Sequence, residues 1–135
     1  MQLPDPVRKL LLGPSPCVIT TLLPDGAPHA TEVWVDLSEG TDGDQILVNS
    51  VDTHQKVRNL RRDPRVALVV IDPTETSRHV AVRGVVSAIT TDGAREHIEE
   101  LSQRYTGAPY PWWGGRDQVR VILRIDVEWL GGQMR

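Results

Sequence analysis

The stretch Lys56-Val57-Arg58-Asn59-Leu60-Arg61-Arg62-Asp63-Pro64-Arg65-Val66-Ala67-Leu68 decides how the rest of the chain is read. Thr53, just before it, is placed to cap a short helix that runs to about Arg62, with Val57 and Leu60 on the buried face. Asp63-Pro64 ends that helix, because the residue before a proline avoids helical geometry. Arg65 to Ile71 then reads as a strand rich in β-branched residues. Lys56, Arg58, Arg61, Arg62 and Arg65 crowd ten positions and only Asp63 opposes them, in a chain whose net charge is −3. An acidic protein that gathers cations on one helix and the next strand is expected to hold an anion there.

Working outward, Gln45 to Ser50 reads as a strand, and the turn from Val51 to Gln55 leads into the helix. Free backbone N–H groups at a helix start favour an anion. Lys56 adds a point charge, Arg58 a planar fork and Asn59 a neutral donor, a set that suits a phosphate. His54 lies beside this cradle. A solvated basic helix face is the competing reading. Arg61, Arg62 and Arg65 are expected to include surface or ion-paired residues in either case.

Upstream, Asp5-Pro6 opens a short helix that stops at Gly13. Cys17 to Leu23 and His29 to Leu37 form a hairpin about Pro24-Asp25-Gly26. In its second strand Thr31, Val33, Val35 and Leu37 alternate with Ala30, Glu32, Trp34 and Asp36, and the more apolar set is expected to face the core. Downstream, His79 to Thr91 predicts a bent strand with a bulge at Gly84. Asp92 to Tyr105 predicts the longest helix, Val119 to Asp126 a further strand, and Trp129 a short last one. The expected fold is mainly β with small helices, a six-stranded antiparallel barrel in a single domain over residues 1–135. No G-x-G-x-x-G or P-loop pattern is present, and the βαβ alternation of a dinucleotide fold is weak.

At 135 residues the chain is long enough to build its own core. The lone Cys17 permits no internal disulfide and sits in an apolar run, where a buried, inert thiol is expected. No long apolar stretch is present, so we expect no signal peptide, no membrane span and a cytoplasmic location. A pI near 5.8 argues against general nucleic-acid binding. His29, His54, His79 and His97 lack metal-ligand spacing, so no metal is expected. No Ser-His-Asp order can be defended, no catalytic residue is named, and Glu99-Glu100 reads as a solvated helix face. The segment from Tyr105 to Gly115 holds both tyrosines and two of the four tryptophans of a chain without phenylalanine. Tyr110, Trp112 and Trp113 there suit either a planar ligand or a subunit contact.

These landmarks together resemble the pyridoxamine 5′-phosphate oxidase-like superfamily of FMN-binding split β-barrels, and more narrowly the deazaflavin oxidoreductases that use coenzyme F420. The resemblance runs from about Pro16 to the C-terminus. It is carried by Thr20-Thr21-Leu22 with Pro24-Asp25-Gly26, Glu32-Val33-Trp34, Val48-Asn49-Ser50, the run from Lys56 to Val66, Val82-Arg83-Gly84 and the aromatic loop. It implies a homodimer with two cofactor sites at the interface and a small-molecule substrate. It implies that the cofactor phosphate lies on Lys56 and Asn59, and that the ring system runs along Val33, Trp34, Asn49 and Ser50. A basic residue is common in related sequences where His54 stands, and a protonated histidine would substitute for it. The surplus arginines suit the acidic polyglutamate tail of F420 better than the short tail of FMN, so F420 is the favoured cofactor and FMN the alternative. The expected reaction is hydride transfer to a small organic acceptor, with Tyr110, Trp112 and Trp113 as the substrate wall. A protein that binds the cofactor without turnover is the remaining possibility.

Overall fold

A computed structural model describes residues 1–134. Three helices, α1 (Asp5–Leu12), α2 (Gln55–Arg62) and α3 (Ala94–Thr106), accompany seven strands. The strands are β1 (Cys17–Leu22), β2 (Pro28–Val33), β3 (Val35–Ser38), β4 (Gln45–Val51), β5 (Arg65–Ile71), β6 (His79–Thr90) and β7 (Arg120–Gln133). They form one antiparallel sheet in the order β2-β1-β5-β6-β7-β4-β3.

The two edge strands, β2 and β3, are consecutive in the chain, with only Trp34 between them. A chain that leaves one edge at Val33 and joins the other at Val35 requires the sheet to curl until its edges meet, which is the split barrel. This also explains the strand count. The expected strand from His29 to Leu37 pairs with β1 up to Val33 and with β4 from Val35, so six expected strands become seven. Tyr105 of α3 plugs the break: its hydroxyl accepts from the Val35 N–H at 3.1 Å and donates to the Ser15 carbonyl at 2.8 Å. The Trp34 ring stacks on Tyr105 with centroids 5.2 Å apart. A backbone group that lost its ladder partner is thereby satisfied.

Inward-facing residues of every strand fill the barrel, with Cys17, Ile19, Val35, Ile46, Val48, Val70, Leu123 and Ile125 fully buried. Val57 and Leu60 of α2 join this core. Across the sheet, Leu47 and Ile122 pack under Ala94 of α3, so β4 is covered on both faces and reads as a continuous apolar run. The bulge expected at Gly84 is present as a register shift between Arg83 and Gly84. A side chain at Gly84 would run into the carbonyl of Asp126, so the close approach of β7 requires glycine there. Trp129 continues β7 rather than starting a new strand.

The helices start without a side-chain cap: Pro4 precedes α1, Gly93 precedes α3, and His54, not the expected Thr53, precedes α2. At α2 the His54 carbonyl accepts from the N–H groups of Val57 and Arg58. Asp63 is extended and ends α2 as expected. None of the helices is long and apolar enough to cross a membrane.

Candidate functional site

Where the sheet edges meet, a cleft of about 200 Å³ opens between Glu32, Val33 and Trp34 on one side and Asn49, Ser50, His54 and Lys56 on the other. Ile98 of α3, Tyr110 and Trp113 of the loop, and Arg120 at the start of β7 complete it. Val33, Trp34, Asn49, Ser50, His54, Lys56, Tyr110 and Trp113, all expected at the site, are thus brought together from four separate segments.

Three expected residues lie elsewhere. Asn59 is fully buried: its amide donates to Thr21 Oγ1 at 3.0 Å and its carbonyl accepts from Gln55 at 2.7 Å, so it ties α2 to β1. Lys56, one turn before it on α2, lines the cleft, whereas the Asn59 side chain is taken up by β1. Arg58 lies on the exposed side of α2 and donates to the Thr53 carbonyl and to Gln55. Trp112 is buried behind the loop, with its indole N–H on Glu99 at 2.8 Å and the Arg95 guanidinium over its ring at 4.3 Å. Its positive φ of 51° turns it away from its neighbour Trp113, which is 75% exposed. The rest of the basic run is spent on structure. Arg61 pairs with Asp52, Arg62 caps the Leu22 carbonyl, and Arg65 pairs with Asp63.

Arg120, which lines the cleft, was not singled out in the sequence, and Glu99, behind the loop, takes a role other than the one expected of it. Arg120 is only 7% exposed, and Nε donates to Asn49 Oδ1 at 2.8 Å while Nη1 donates to the Tyr110 hydroxyl at 3.3 Å. Glu99, expected to be a solvated helix residue, accepts from the Tyr110 backbone N–H at 3.0 Å and from Trp112. It ties the loop to α3 and so sets where Tyr110 stands. No local pattern announces either role, because their partners lie 10 or more residues away.

A buried polar chain stands behind Arg120. Asn49 must turn its oxygen to Arg120, so its amide donates to the Ala94 carbonyl at 2.8 Å and to His97 Nδ1 at 3.2 Å. His97 Nδ1 then accepts, and Nε2–H donates to Asp36 Oδ2 at 3.0 Å. Arg104 donates to the other oxygen of Asp36 at 2.9 Å. His97, which shows no carboxylate partner in sequence, finds one 61 residues away. Burial pushes the Asp36 carboxyl up, but the hydrogen bonds from His97, Arg104 and the Leu37 N–H outweigh it and hold the group below its usual range.

The cleft is electropositive, with Lys56, Arg120 and His54 against a single lining carboxylate, Glu32. Burial pulls the Lys56 ammonium down from its usual value, and Arg120 adds to this. His54 is pulled down by burial, then by Lys56 and Arg120, which leaves it largely neutral at pH 7. Burial also lowers Arg120. Among the described residues no carboxylate pairs with Lys56 or Arg120. Two cations, Lys56 and Arg120, that both lower a neutral His54 and have no ion-paired carboxylate make a site suited to an anion. A larger hollow of about 480 Å³ beside α1 lacks this character, because its Arg78 is paired with Asp72 at 3.1 Å.

Trp34, Tyr110 and Trp113 give the cleft an aromatic side: Tyr110 meets Trp34 edge-on at 6.3 Å and Trp113 at 5.5 Å. A cationic corner beside aromatic faces, at the seam of a split β-barrel, defines the class of protein. Residues 3–133 match the family model of pyridoxamine 5′-phosphate oxidase, and the chain belongs to that family. Among solved structures it is similar to one named F420 reductase, with 27% identity over 97% of this chain and 100% of that chain and a TM-score of 0.81. It is also similar to a conserved hypothetical protein from Mycobacterium tuberculosis, with 26% identity, coverage of 96% and 87%, and a TM-score of 0.66. General stress protein 26 from Bacillus anthracis shares the fold at 15% identity, with coverage of 93% and 89% and a TM-score of 0.67. No curated protein matches the chain.

Proposed function

We propose that this protein is a cytoplasmic oxidoreductase that holds a phosphorylated flavin-like cofactor in the cleft and passes a hydride between it and a small organic acceptor. The observation that carries this reading is the unpaired Lys56 ammonium, with His54 beside it, set against the aromatic side of the cleft. Lys56 and His54 would take the phosphate. The ring system would lie along Val33, Trp34, Asn49 and Ser50, with the acceptor against Tyr110 and Trp113. F420 is the favoured cofactor and FMN the alternative. The likeness to the F420 reductase over its full length supports that choice. The surplus arginines no longer do, since Arg61 and Arg65 are paired with Asp52 and Asp63.

The residues present fit such a group. A dianionic phosphate would restore Lys56 and His54 toward their usual protonation, and aromatic faces suit a flat ring. The cleft is smaller than the roughly 300–1,000 Å³ usual for pockets of drug-sized ligands. A second protomer closing its open side supplies the rest, so the working unit is a homodimer. When bound, the cofactor supplies the hydride chemistry. This chain's residues position it, orient the acceptor and exclude water. No side chain is required as a nucleophile, and solvent can deliver the proton.

The test is a titration of cofactor-free protein with F420 and, separately, with FMN, followed by fluorescence. Tight binding of F420 supports the favoured reading and a preference for FMN moves it to the flavin branch. Binding of neither refutes it.

A further inference from the structure

We infer that Arg120 is an anion-recognising residue of the cleft and that the Tyr110 hydroxyl is its placeholder, displaced when a phosphoryl group arrives. This rests on the proposed cofactor reading and names the third member of the site. Arg120 is a full cation, nine-tenths buried, and its contacts are a side-chain amide oxygen at 2.8 Å and a phenol oxygen at 3.3 Å. Neutral acceptors satisfy its geometry and leave its charge unmatched. A buried guanidinium without a carboxylate is costly unless a ligand supplies the opposite charge.

The placement is built and not incidental. Asn49 fixes Nε, and Asn49 is itself fixed by the Ala94 carbonyl and by His97, which Asp36 orients. Nη1 is therefore held toward the cleft, where it shares space with Lys56 and His54 closely enough to depress both. The bond to Tyr110 is the longer of the two and comes from a loop held by Glu99. A phosphoryl oxygen would make a shorter, charge-assisted bond, and two oxygens would suit the guanidinium fork. An anion in the cleft thus moves Tyr110, and with it the wall expected to face the acceptor.

The experiment compares Arg120→Gln, Arg120→Lys and Tyr110→Phe with the wild type against three probes by calorimetry. The probes are FMN with riboflavin, F420 with its phosphate-free deazaflavin alcohol, and inorganic pyrophosphate. Glutamine keeps a donor for Asn49 and removes the charge. Expected results are a loss of tenfold or more in Arg120→Gln for each phosphorylated probe, and a change under threefold for the phosphate-free partners. Arg120→Lys should fall between, and Tyr110→Phe should bind pyrophosphate at least as tightly as the wild type. Unchanged phosphate affinity in both Arg120 variants, with melting curves showing folded protein, overturns the inference while leaving the cofactor reading intact. Arg120-dependent pyrophosphate binding without any cofactor binding does the reverse. A wild type that binds no probe overturns both. If Arg120→Gln does not fold, weaker pyrophosphate binding by Tyr110→Phe than by the wild type refutes the placeholder.

Discussion

Replacing Asp36 by alanine tests the polar chain that holds the cleft from behind. Asp36 is 8% exposed and accepts from His97 at 3.0 Å, Arg104 at 2.9 Å and the Leu37 N–H at 2.8 Å. A hydrogen bond to a charged group contributes about 1.5–3 kcal/mol, and these three are not additive. Arg104 is partly exposed and can turn to water, so little of its loss counts. His97 has no such escape, and an unsatisfied buried donor costs about 1–3 kcal/mol. The expected net loss is about 2–4 kcal/mol. With an unfolding entropy of about 0.28 kcal/mol/K for a chain this long, Tm should fall by about 7–14 °C. Asp36→Asn keeps one acceptor and should lose about half as much. The folded carboxyl lies below its unfolded value of about 3.9, so its stabilisation is fully present above that value and is lost as pH falls through the folded one. Urea melts of wild type and variant should therefore differ by a constant amount above about pH 5 and draw together as pH falls through the lowered value of the folded carboxyl. A Tm loss under about 3 °C at pH 7 would show that the chain does not carry the stability assigned to it.

Lys56→Ala removes a charge-assisted phosphate contact worth about 1.5–3 kcal/mol, so cofactor affinity should drop about 10- to 150-fold in a fluorescence titration. Because an anion raises the lowered Lys56 and His54, wild-type affinity should strengthen as pH falls below 6.5 and His54 charges, with proton uptake measurable by calorimetry in two buffers. Gly84→Ala forces a methyl against the Asp126 carbonyl and should cost about 1–3 kcal/mol in a denaturant melt. Glu99→Ala frees the backbone of Tyr110 and the indole of Trp112; it should increase amide exchange over residues 107–118 while leaving the barrel protected.

Much of the barrel was legible because its signals are local. β-branched runs, the Pro24-Asp25-Gly26 turn and the Asp63-Pro64 stop each act within a few residues. The break at Trp34 was not, since nothing in His29 to Leu37 records that its halves form the two opposite edges of the sheet. At the cleft, the residues next to Lys56 were visible as a charge cluster on an acidic chain. The same cluster did not separate Lys56 from Arg58 and Asn59, because charge and donor counts do not report which side chains α2 turns to the cleft. Arg120, Glu99 and the His97–Asp36 pair exist only through contacts made by folding. Trp112 and Trp113 read alike as neighbours, yet one positive φ sends one into the protein and leaves the other at the cleft.

A crystal structure of the protein with F420 bound tests the central claim most directly. It should place the phosphate within hydrogen-bond distance of Lys56 Nζ, the ring along Val33 to Trp34 and Asn49 to Ser50, and a second protomer over the open side. A phosphate seated beside α1, or a ring bound away from the seam between β2 and β3, would contradict it.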